Sequence, residues 1–515
     1  MSATRSRFRK LLPLLSVLAL VVPLVLALAA PVYAQGSLYV DHDTTRECGG
    51  NATCYTTISL AVAAAGGGKT IYVYPGSYSE SVDLSSVSGG GDLALRTVNN
   101  AGVPTPGTVT VVAPGTGSEI YTTGWFDGDL TIDGFILHSV NPGIDVKTAG
   151  GHSVEILNVT ATGIADDGIK VSADGEVTIT NCTASDNDGI GIWVYDTGGP
   201  VTISNCTTND NGGGSVPPGG VGILLIGIQG DVQISNCTSN GNVCSSASVH
   251  PESYPSCGYG LYGEQIGGQL AISNSTMNGN SVAGAAALSS SSVMSITDSV
   301  FQGNGKGVQL GGGEASLELK GSIVCQNGTG LDVTGPGAAA IAEGNWWGCV
   351  LGPGGAGCDS ILVGAGASAD WDPWITGVTA LASPDPVTVG QPAVVSFQFF
   401  GGPPAVYLGQ GPGDLRGPAP FTVTTDNGTL NGNGATVGAF INQASGILDV
   451  TLVPESEGTA MVTVAGPCGL GELEGATAVL GVLAEEFVPE PGTVLLLGSG
   501  LMGLAGYAGL RLRKR

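Results

Sequence analysis

The sequence predicts an all-β chain whose largest part is a right-handed parallel β-helix. Three observations lead there: a repeated phrase, its nearly constant spacing, and apolar residues that alternate with period two inside it. The phrase reads GEVTITNCT at Gly175–Thr183 and returns, with small changes, at Gly199–Thr207, Gly230–Thr238 and Gly268–Thr276. A fixed period of this kind indicates stacked units that bury a core only together.

The spacing defines the predicted coil. An apolar residue before each turn recurs at steps of 24, 23, 24, 31, 38, 24, 23 and 22 residues, at Ile132, Ile156, Ile179, Ile203, Ile234, Ile272, Ile296, Leu319 and Ile341. Alternation such as that of Val177 and Ile179 is typical of strands. A unit of this length has room for short strands and turns but no crossover helix, so stacking adds about 4.8 Å per coil. The two long steps predict loops at Gly212–Gly220 and Val243–Gly258.

Two residue types follow the predicted strand. An Asn stands there at Asn181, Asn205, Asn236 and Asn274, with Asn158 offset by one residue. Asn tolerates the left-handed conformation, so we expect a sharp turn and amide bonds between coils. The next residue is Cys182, Cys206 or Cys237, for which we expect an inward apolar stack. A zinc site is the less favoured alternative, because no His accompanies these cysteines.

Charge limits the classes of partner. The net charge is −26, and half of the 16 basic residues lie within the first ten and last five positions. The acidic middle of the chain would repel nucleic acid and polyanionic glycans. It suits neutral partners or divalent cations.

The first 34 residues predict export. Met1–Ala34 has a basic start, an apolar run and a small-residue cleavage site, and an uncleaved anchor is the alternative. Export permits disulfides, and the close pairs are Cys48 with Cys54, Cys244 with Cys257, and Cys349 with Cys358. The eleven cysteines leave at least one thiol unpaired, with Cys468 and the buried stack as candidates.

We assign residues 35–374 to the β-helix, with caps at about 35–70 and 341–374. Tyr55–Ala65 predicts a short helix before the strand Thr70–Tyr78. This passage resembles the opening of the pectin-lyase-like superfamily, which implies that the helix plugs the first coil. Trp346 and Trp347 are similar to the closing segment of bacterial parallel β-helix repeat proteins. We expect them to cover the last coil, with stacking on a sugar as the alternative.

Residues 375–487 lack the repeated phrase. Alternating strands at Val387–Val389, Ala393–Phe400, Phe421–Thr425, Gly446–Val453 and Thr459–Val464 predict a small β-sandwich, immunoglobulin-like in the broad sense. Such a domain would be a spacer or a binding module.

The tail, residues 488–515, has three parts. Val488, Pro489, Glu490 and Pro491 precede the apolar segment Thr493–Leu510, and a basic cluster ends the chain. Eighteen apolar residues suffice for a transmembrane helix with the basic end in the cytoplasm. The arrangement resembles the PEP-CTERM sorting signal. That resemblance implies recognition and cleavage by an exosortase, after transient anchoring in the membrane, and delivery to the cell surface or extracellular matrix. A plain membrane anchor is the alternative.

The alternative function is that of an enzyme that cleaves polysaccharides. A lyase needs a base, usually Arg or Lys, and the lysines of the repeat region are scattered in sequence, at Lys147, Lys170, Lys306 and Lys320. The segments around Asp145 and around Asp166 and Asp167 resemble the first two motifs of polygalacturonases, which use paired carboxylates. The first is degraded, since Pro142 and Gly143 replace Thr and Asp, and the later motifs are missing.

Asp167 and Asp188 each precede Gly-Ile one coil apart, so we expect them to stack. Turn chemistry is the favoured interpretation, and a calcium site or a catalytic pair are the alternatives. The sequence thus favours an exported, non-enzymatic surface or matrix protein that is structural or binds polysaccharide. It indicates export machinery and an exosortase as partners, with no nucleic acid and no cofactor unless calcium binds.

Overall fold

The computed structural model describes residues 36–484, except for 44–46, 51–52, 88, 116, 139–140, 213–219, 245–256, 289–292, 402–420, 440–446, 467 and 469–474. Along the described chain, one compact unit ends at Ile375 and a second begins at Thr376. The predicted signal peptide, the sorting motif Val488–Pro491 and the apolar segment Thr493–Leu510 lie outside the described residues. Among those that are described, no helix has the length and hydrophobicity to cross a bilayer.

The first unit is a stack of parallel coils, as predicted. Each coil adds one strand to a long sheet, here called sheet I, and one to a second sheet, sheet II. Sheet I has 14 strands: Cys54–Tyr55, Leu38–Val40, Lys69–Val73, Leu93–Thr97, Leu130–Asp133, Val154–Leu157, Val177–Thr180, Val201–Ser204, Val232–Ser235, Gln269–Ser273, Val293–Thr297, Ser316–Lys320, Ala339–Ile341 and Ser368–Asp370. Sheet II has 11: Val82–Asp83, Ile120–Tyr121, Ile144–Thr148, Ile169–Ala173, Ile192–Thr197, Val221–Ile228, Tyr259–Glu264, Ala283–Ala287, Lys306–Gly311, Thr329–Thr334 and Ile361–Val363.

The third side of the coil is less regular than predicted. Its strands are Gly76–Tyr78, Val109–Val111, Phe135–Leu137 and Thr160–Ala161, and later Val300–Gln302 with Ile323–Cys325. In the coils between these groups, isolated parallel bridges join single residues, among them Thr183, Thr207 and Thr238. These threonines follow the stacked cysteines directly, so the turn leaves only one extended residue to pair.

The predicted inward column is confirmed. Ile179 pairs with Ile203 and Ile203 with Ile234, and all three are buried. The prediction for the last residue of the column, Ile341, is wrong. Ile341 pairs with Glu318, faces outward and is 50% exposed. Side chains alternate along a strand, so this shift by one residue moves Ile341 to the other face of the sheet.

A short helix covers the first coils. It spans Ile58–Ala64, begins after the N-cap Thr57, and buries Ile58, Ala61 and Val62. The Glu80 carboxylate accepts from the backbone N–H of Ile58 and of Ser59, both at 2.8 Å. A carboxylate at this end is favourable, because the first N–H groups of a helix lack partners. A four-residue helix, Glu47–Gly50, and a 3₁₀ turn, Leu84–Ser86, lie nearby.

Both tryptophans of the closing segment are buried. Trp346 is 2% exposed and Trp347 is fully buried, so neither ring presents a face to a sugar and the stacking alternative is wrong. Trp347 belongs to the main core, and Trp371 and Trp374 pack against it. The two strands that follow Trp347 continue sheets II and I, so the coil persists beyond the predicted cover.

Asparagine ladders run along the stack. The predicted turn residues, Asn158, Asn181, Asn205, Asn236 and Asn274, all have positive φ. Asn158 is not offset, because its neighbours Leu157 and Thr180 pair in register and the Asn181 amide donates to Asn158 at 3.2 Å. The continuous ladder is elsewhere and is buried except at Asn327. It comprises Asn187, Asn211, Asn242, Asn280, Asn304 and Asn327 and ends on Asp359.

The cysteines divide into bridged and free. Disulfides join Cys48 to Cys54, Cys244 to Cys257 and Cys349 to Cys358. Cys468, a predicted candidate for a free thiol, is disulfide-bonded. The free cysteines of the described chain are the buried stack Cys182, Cys206 and Cys237. Later coils carry Ser275, Ser299 and Ser322 in the same column, where each hydroxyl accepts the backbone N–H of the preceding coil.

The second unit contains two sheets with mainly antiparallel pairing, in which the edge strand Val387–Thr388 pairs parallel with Thr477–Leu483. One has the strands Ile375–Ser383, Ala393–Gly401, Ile447–Val453 and Thr429–Leu430. The other has Val387–Thr388, Thr477–Leu483, Gly458–Ala465, Phe421–Thr425 and Thr436–Ala439. The sheets meet at Phe399 and Phe421, whose ring centroids lie 5.3 Å apart. The predicted strands are present, and the sequence analysis missed the strands Ile375–Ser383, Thr429–Leu430, Thr436–Ala439 and Thr477–Leu483.

Candidate functional site

The outward face of sheet II aligns the residues of the candidate site in one column. Asp145 pairs with Lys170 in the next coil, and Lys170 pairs with Trp193 in the coil after that. Each of these residues is flanked by buried aliphatic residues on its own strand, so period-two alternation directs all three outward. Strand spacing places Asp145 and Trp193 about 10 Å apart along the stack.

Lysines and aromatic rings cluster on this face. The Lys170 ammonium lies 4.4 Å from the centroid of the Trp193 ring and 5.7 Å from that of Tyr195. Lys147 lies 6.0 Å from the Tyr195 centroid, and the two rings are 5.1 Å apart. The rings attract both cations. We call Asp145, Lys147, Lys170, Trp193 and Tyr195 the outer patch.

The outer patch corrects one inference from the sequence. Lys147 and Lys170 are 23 positions apart in sequence, which suggested scattered cations. One coil has nearly that length, so stacking brings both lysines to the same tyrosine. The spacing of the lysines therefore does not argue against a lyase.

Two atoms of the outer patch lack hydrogen-bond partners. The Oδ1 atom of Asp145 and the Nε1 atom of Trp193 are both buried and unsatisfied. An unpaired buried polar atom costs about 1–3 kcal/mol. One of these atoms is an acceptor and the other a donor, so each can form one hydrogen bond with a different group of an extended ligand.

Asp167 and Asp188 do not stack, so that prediction is wrong. The pairing of Ile169 with Ile192 places Asp167 beside Ile190, whose N–H donates to Asp167 Oδ1 at 2.8 Å. The N–H of Asp188 donates instead to the carbonyl of Ile164. Asp167 and Asp188 are therefore out of register by two residues, and Asp167 bonds the main chain of the next coil rather than its own turn. The calcium pair stays a prediction.

Burial separates the four aspartates. Asp167 is 5% exposed, and burial raises its pKa to about 7. Burial also raises the pKa of Asp166, with a smaller upward contribution from Asp145 and an opposing one from Lys170. Asp145 and Asp166 are therefore close enough to interact with each other and with Lys170. Asp167 belongs to the same group, because Asp166 and Asp145 also raise its pKa and Lys170 lowers it.

The outer patch borders an apolar stretch of the same face. Leu224 follows Trp193 in the column, Tyr262 follows Leu224, and Ala286 follows Tyr262. All three are at most 4% exposed although they point away from the main core. Lys147, Lys170, Trp193 and Tyr195 were missed as site residues. The sequence contained a signal for them. Each alternates with the inward apolar residues of a strand that begins at a Gly-Ile pair.

Comparisons with known proteins bear on the fold and on the tail. A family model described as right handed beta helix region matches residues 114–239, and one described as PEP-CTERM protein-sorting motif matches residues 487–514. No curated protein matches the chain.

Several solved structures are similar at low identity. Pectate lyase Pel9A is 16% identical, with 60% of this chain and 79% of that chain covered and a TM-score of 0.28. The A-module of the Azotobacter vinelandii mannuronan C-5 epimerase AlgE6 is 14% identical, with 61% and 93% covered and a TM-score of 0.29. ORF18 of Geobacillus virus E2 is 12% identical, with 71% and 73% covered and a TM-score of 0.32. At these scores the likenesses transfer no activity.

The matched motif covers the three-part tail. A PEP-CTERM sorting motif implies processing by an exosortase and export to the cell surface. The coil stack and the two matched models lead to one description. This chain is a parallel β-helix protein with a C-terminal PEP-CTERM protein-sorting motif.

Proposed function

We propose that this protein is displayed on the cell surface or in the extracellular matrix, where its outer patch binds a neutral polysaccharide. The observation that carries the proposal is the unsatisfied pair formed by Asp145 Oδ1 and Trp193 Nε1. A sugar hydroxyl both donates and accepts, so hydroxyls of successive sugar units in one chain could satisfy the two atoms. The sorting motif supports the location, because exported surface proteins meet extracellular glycans.

The charge of the protein favours a neutral glycan. A net charge of −26 opposes the approach of a polyanion. Within the patch, the ammonium groups of Lys147 and Lys170 lie over aromatic rings, and Asp145 and Asp166 supply the opposite charge. The patch thus carries charges of both signs, and its hydrogen bonds, rather than a net charge, would select the ligand.

Two nearly isosteric variants test the proposal. Asp145→Leu removes both carboxylate oxygens and keeps the branched shape, and Trp193→Phe removes the indole N–H and keeps an aromatic ring. We expect each variant to bind neutral polysaccharide about threefold to tenfold more weakly, the loss of roughly one hydrogen bond. Affinity electrophoresis of the purified protein in gels containing neutral or acidic polysaccharides measures this.

Lys320→Ala is the matched control, because Lys320 lies on sheet I, away from the patch. Retardation by a neutral polysaccharide that the control retains and both variants reduce would support the proposal. Retardation only by acidic polysaccharides, or equal retardation of all variants, would contradict it.

A polysaccharide-active enzyme is the second candidate, favoured by the proximity of Asp145, Asp166 and Lys170. A polygalacturonase-type hydrolase would have to use Asp145 and Asp166, since Asp167 bonds the main chain. The same polysaccharides, incubated with protein and assayed for new reducing ends and unsaturated uronate, distinguish cleavage from binding. Activity abolished by Asp145→Asn would establish the enzyme instead.

A further inference from the structure

Three metal-ligating side chains converge at one edge of sheet I. One ligand atom from each of Asp92, Asp129 and His152 lies within 4.8 Å of the other two. Within the described part of the chain, no other set of three or more His, Cys, Asp or Glu side chains comes this close together. The residues stand just before successive strands of the sheet, so coil stacking aligns them, as the pairing of Leu93 with Leu130 shows.

The main chain orients both carboxylates. Asp92 Oδ1 accepts the N–H of Asp129 at 3.0 Å, and Asp129 Oδ1 accepts the N–H of Ser153 at 2.8 Å. Each bond uses one lone pair of a carboxylate, and the remaining lone pairs can bind an ion. Ligands held by such outer contacts keep their geometry when no ion is bound.

His152 lies between two carboxylates at distances that suit a shared ion. Its Nδ1 atom is 3.4 Å from Asp129 Oδ1, and its Nε2 atom is 3.4 Å from Asp127 Oδ1. Both distances exceed the usual 2.7–3.2 Å of an N–H···O bond. Two ligands about 2.1 Å from one tetrahedral ion are about 3.4 Å apart. Nδ1 is therefore placed to bind beside Asp129, with Asp127 behind Nε2 as the outer carboxylate that ligating histidines commonly have.

The surroundings leave room for further ligands. A cavity of about 340 Å³ adjoins Asp129 and is lined by polar residues that include Ser153, Glu155 and Glu176. Space and uncompensated negative charge thus occur together, and both favour a hydrated cation.

We propose that Asp92, Asp129 and His152 form a divalent transition-metal site of the Zn²⁺ type. An imidazole nitrogen with carboxylate oxygens suits zinc and its neighbours, whereas calcium prefers six to eight oxygen ligands. Two residues of this set are exposed and His152 is partly buried, so the ion can enter from solvent. The site is on sheet I and is independent of the outer patch on sheet II.

Calorimetry with the full-length protein, treated with chelator and free of any affinity tag, tests the site. We expect zinc chloride to bind one ion per chain and calcium chloride to bind at least about tenfold more weakly. His152→Gln should weaken zinc binding at least about tenfold, the size of effect seen even for outer-shell partners. Asp129→Asn keeps an acceptor for the Ser153 N–H and should also weaken it. Exposed His138 provides the control His138→Gln, which should bind like the parent.

Cobalt provides a second readout. Co²⁺ bound through imidazole and carboxylates in a tetrahedral site absorbs visible light, and that absorbance should disappear in His152→Gln while the melting temperature without metal stays unchanged. The proposal is overturned if zinc does not bind, if His152→Gln binds zinc as tightly as the parent does, or if His138→Gln weakens binding equally.

Discussion

At the scale of single residues, Glu119 makes stability depend on pH. It is fully buried, its Oε1 accepts the N–H of His138 at 2.7 Å, and its Oε2 has no partner. Burial raises the pKa of Glu119 from 4.5 to about 8, against the opposing hydrogen bonds. The folded protein therefore keeps a proton that the unfolded chain releases above about pH 4.5. This stabilisation is complete below that pH and is lost as pH rises through about 8.

We accordingly expect the melting temperature to fall between pH 5 and pH 8. Glu119→Gln cannot ionise and should show a smaller fall. Thermal unfolding monitored by circular dichroism measures it, with exposed Glu314→Gln as the control for lost charge. Parallel curves for the parent and Glu119→Gln would mean that Glu119 does not produce this dependence.

The sequence was enough to predict which side chains point into the core. It was not enough to predict which outward side chains of adjacent coils contact each other. Ile179 and Ile203 follow a strict alternation that a buried core enforces. Asp188 misled because Gly-Ile occurs twice in that coil, and the structure pairs Ile169 with the second copy, Ile192. Contacts such as Lys170 with Trp193 depend on the number of residues in each coil. A difference of one or two residues decides which outward side chains meet.

At the scale of elements, the buried Asn ladder shows a signal that sequence reasoning overlooked. Its members from Asn187 to Asn327 recur with nearly the same steps as the apolar column, including the two long ones. The more conspicuous Asn after each strand drew attention instead. In a parallel stack, an Asn side chain can accept from the coil on one side and donate to the coil on the other. The same bond can therefore repeat in every coil, and a period in Asn predicts stacking as well as a period in Ile does.

Two asparagines of one coil allow a matched test of the ladder. Asn242 is buried; its Oδ1 accepts from Asn211 and its amide donates to Asn280 at 2.9 Å. Asn240 is half-buried and accepts the N–H of Asn278 at 2.7 Å. We expect Asn242→Ala to lower the free energy of unfolding by a few kcal/mol, at about 1–3 kcal/mol for each orphaned buried group.

Asn240→Ala should cost less than about 1 kcal/mol, because water can replace its bond. Denaturant unfolding of both variants measures the difference. Equal losses would show that burial of the ladder adds nothing to its hydrogen bonds.

At the scale of the whole molecule, the tail governs where the coil stack is displayed. We expect the mature protein to end near Pro491 and to lack Thr493–Arg515. Two prolines disfavour a helix in the sequence Val488–Pro491, so we expect a protease on the outer side to reach it. Replacing Pro489, Glu490 and Pro491 by Ala should block processing and leave full-length protein in the inner membrane. Intact mass spectrometry of surface material from the native host measures the C-terminus.

A conservative control keeps the apolar segment and replaces only Thr493 by Ser, which should leave processing unchanged. Surface protein that still carries Arg511–Arg515 would identify the tail as a permanent anchor.

The Asn ladder also ends in the last described coil of the stack, at a residue that cannot continue it. Every amide from Asn211 to Asn304 accepts from the coil before it and donates to the coil after it. Asp359 accepts from Asn327 at 2.6 Å, but an ionised carboxylate has no hydrogen to pass on. A further coil placed on Asp359 would receive no bond from it. Asp359 therefore ends the chain of hydrogen bonds. Asp359→Asn would restore the NH₂ group that an engineered, longer stack needs.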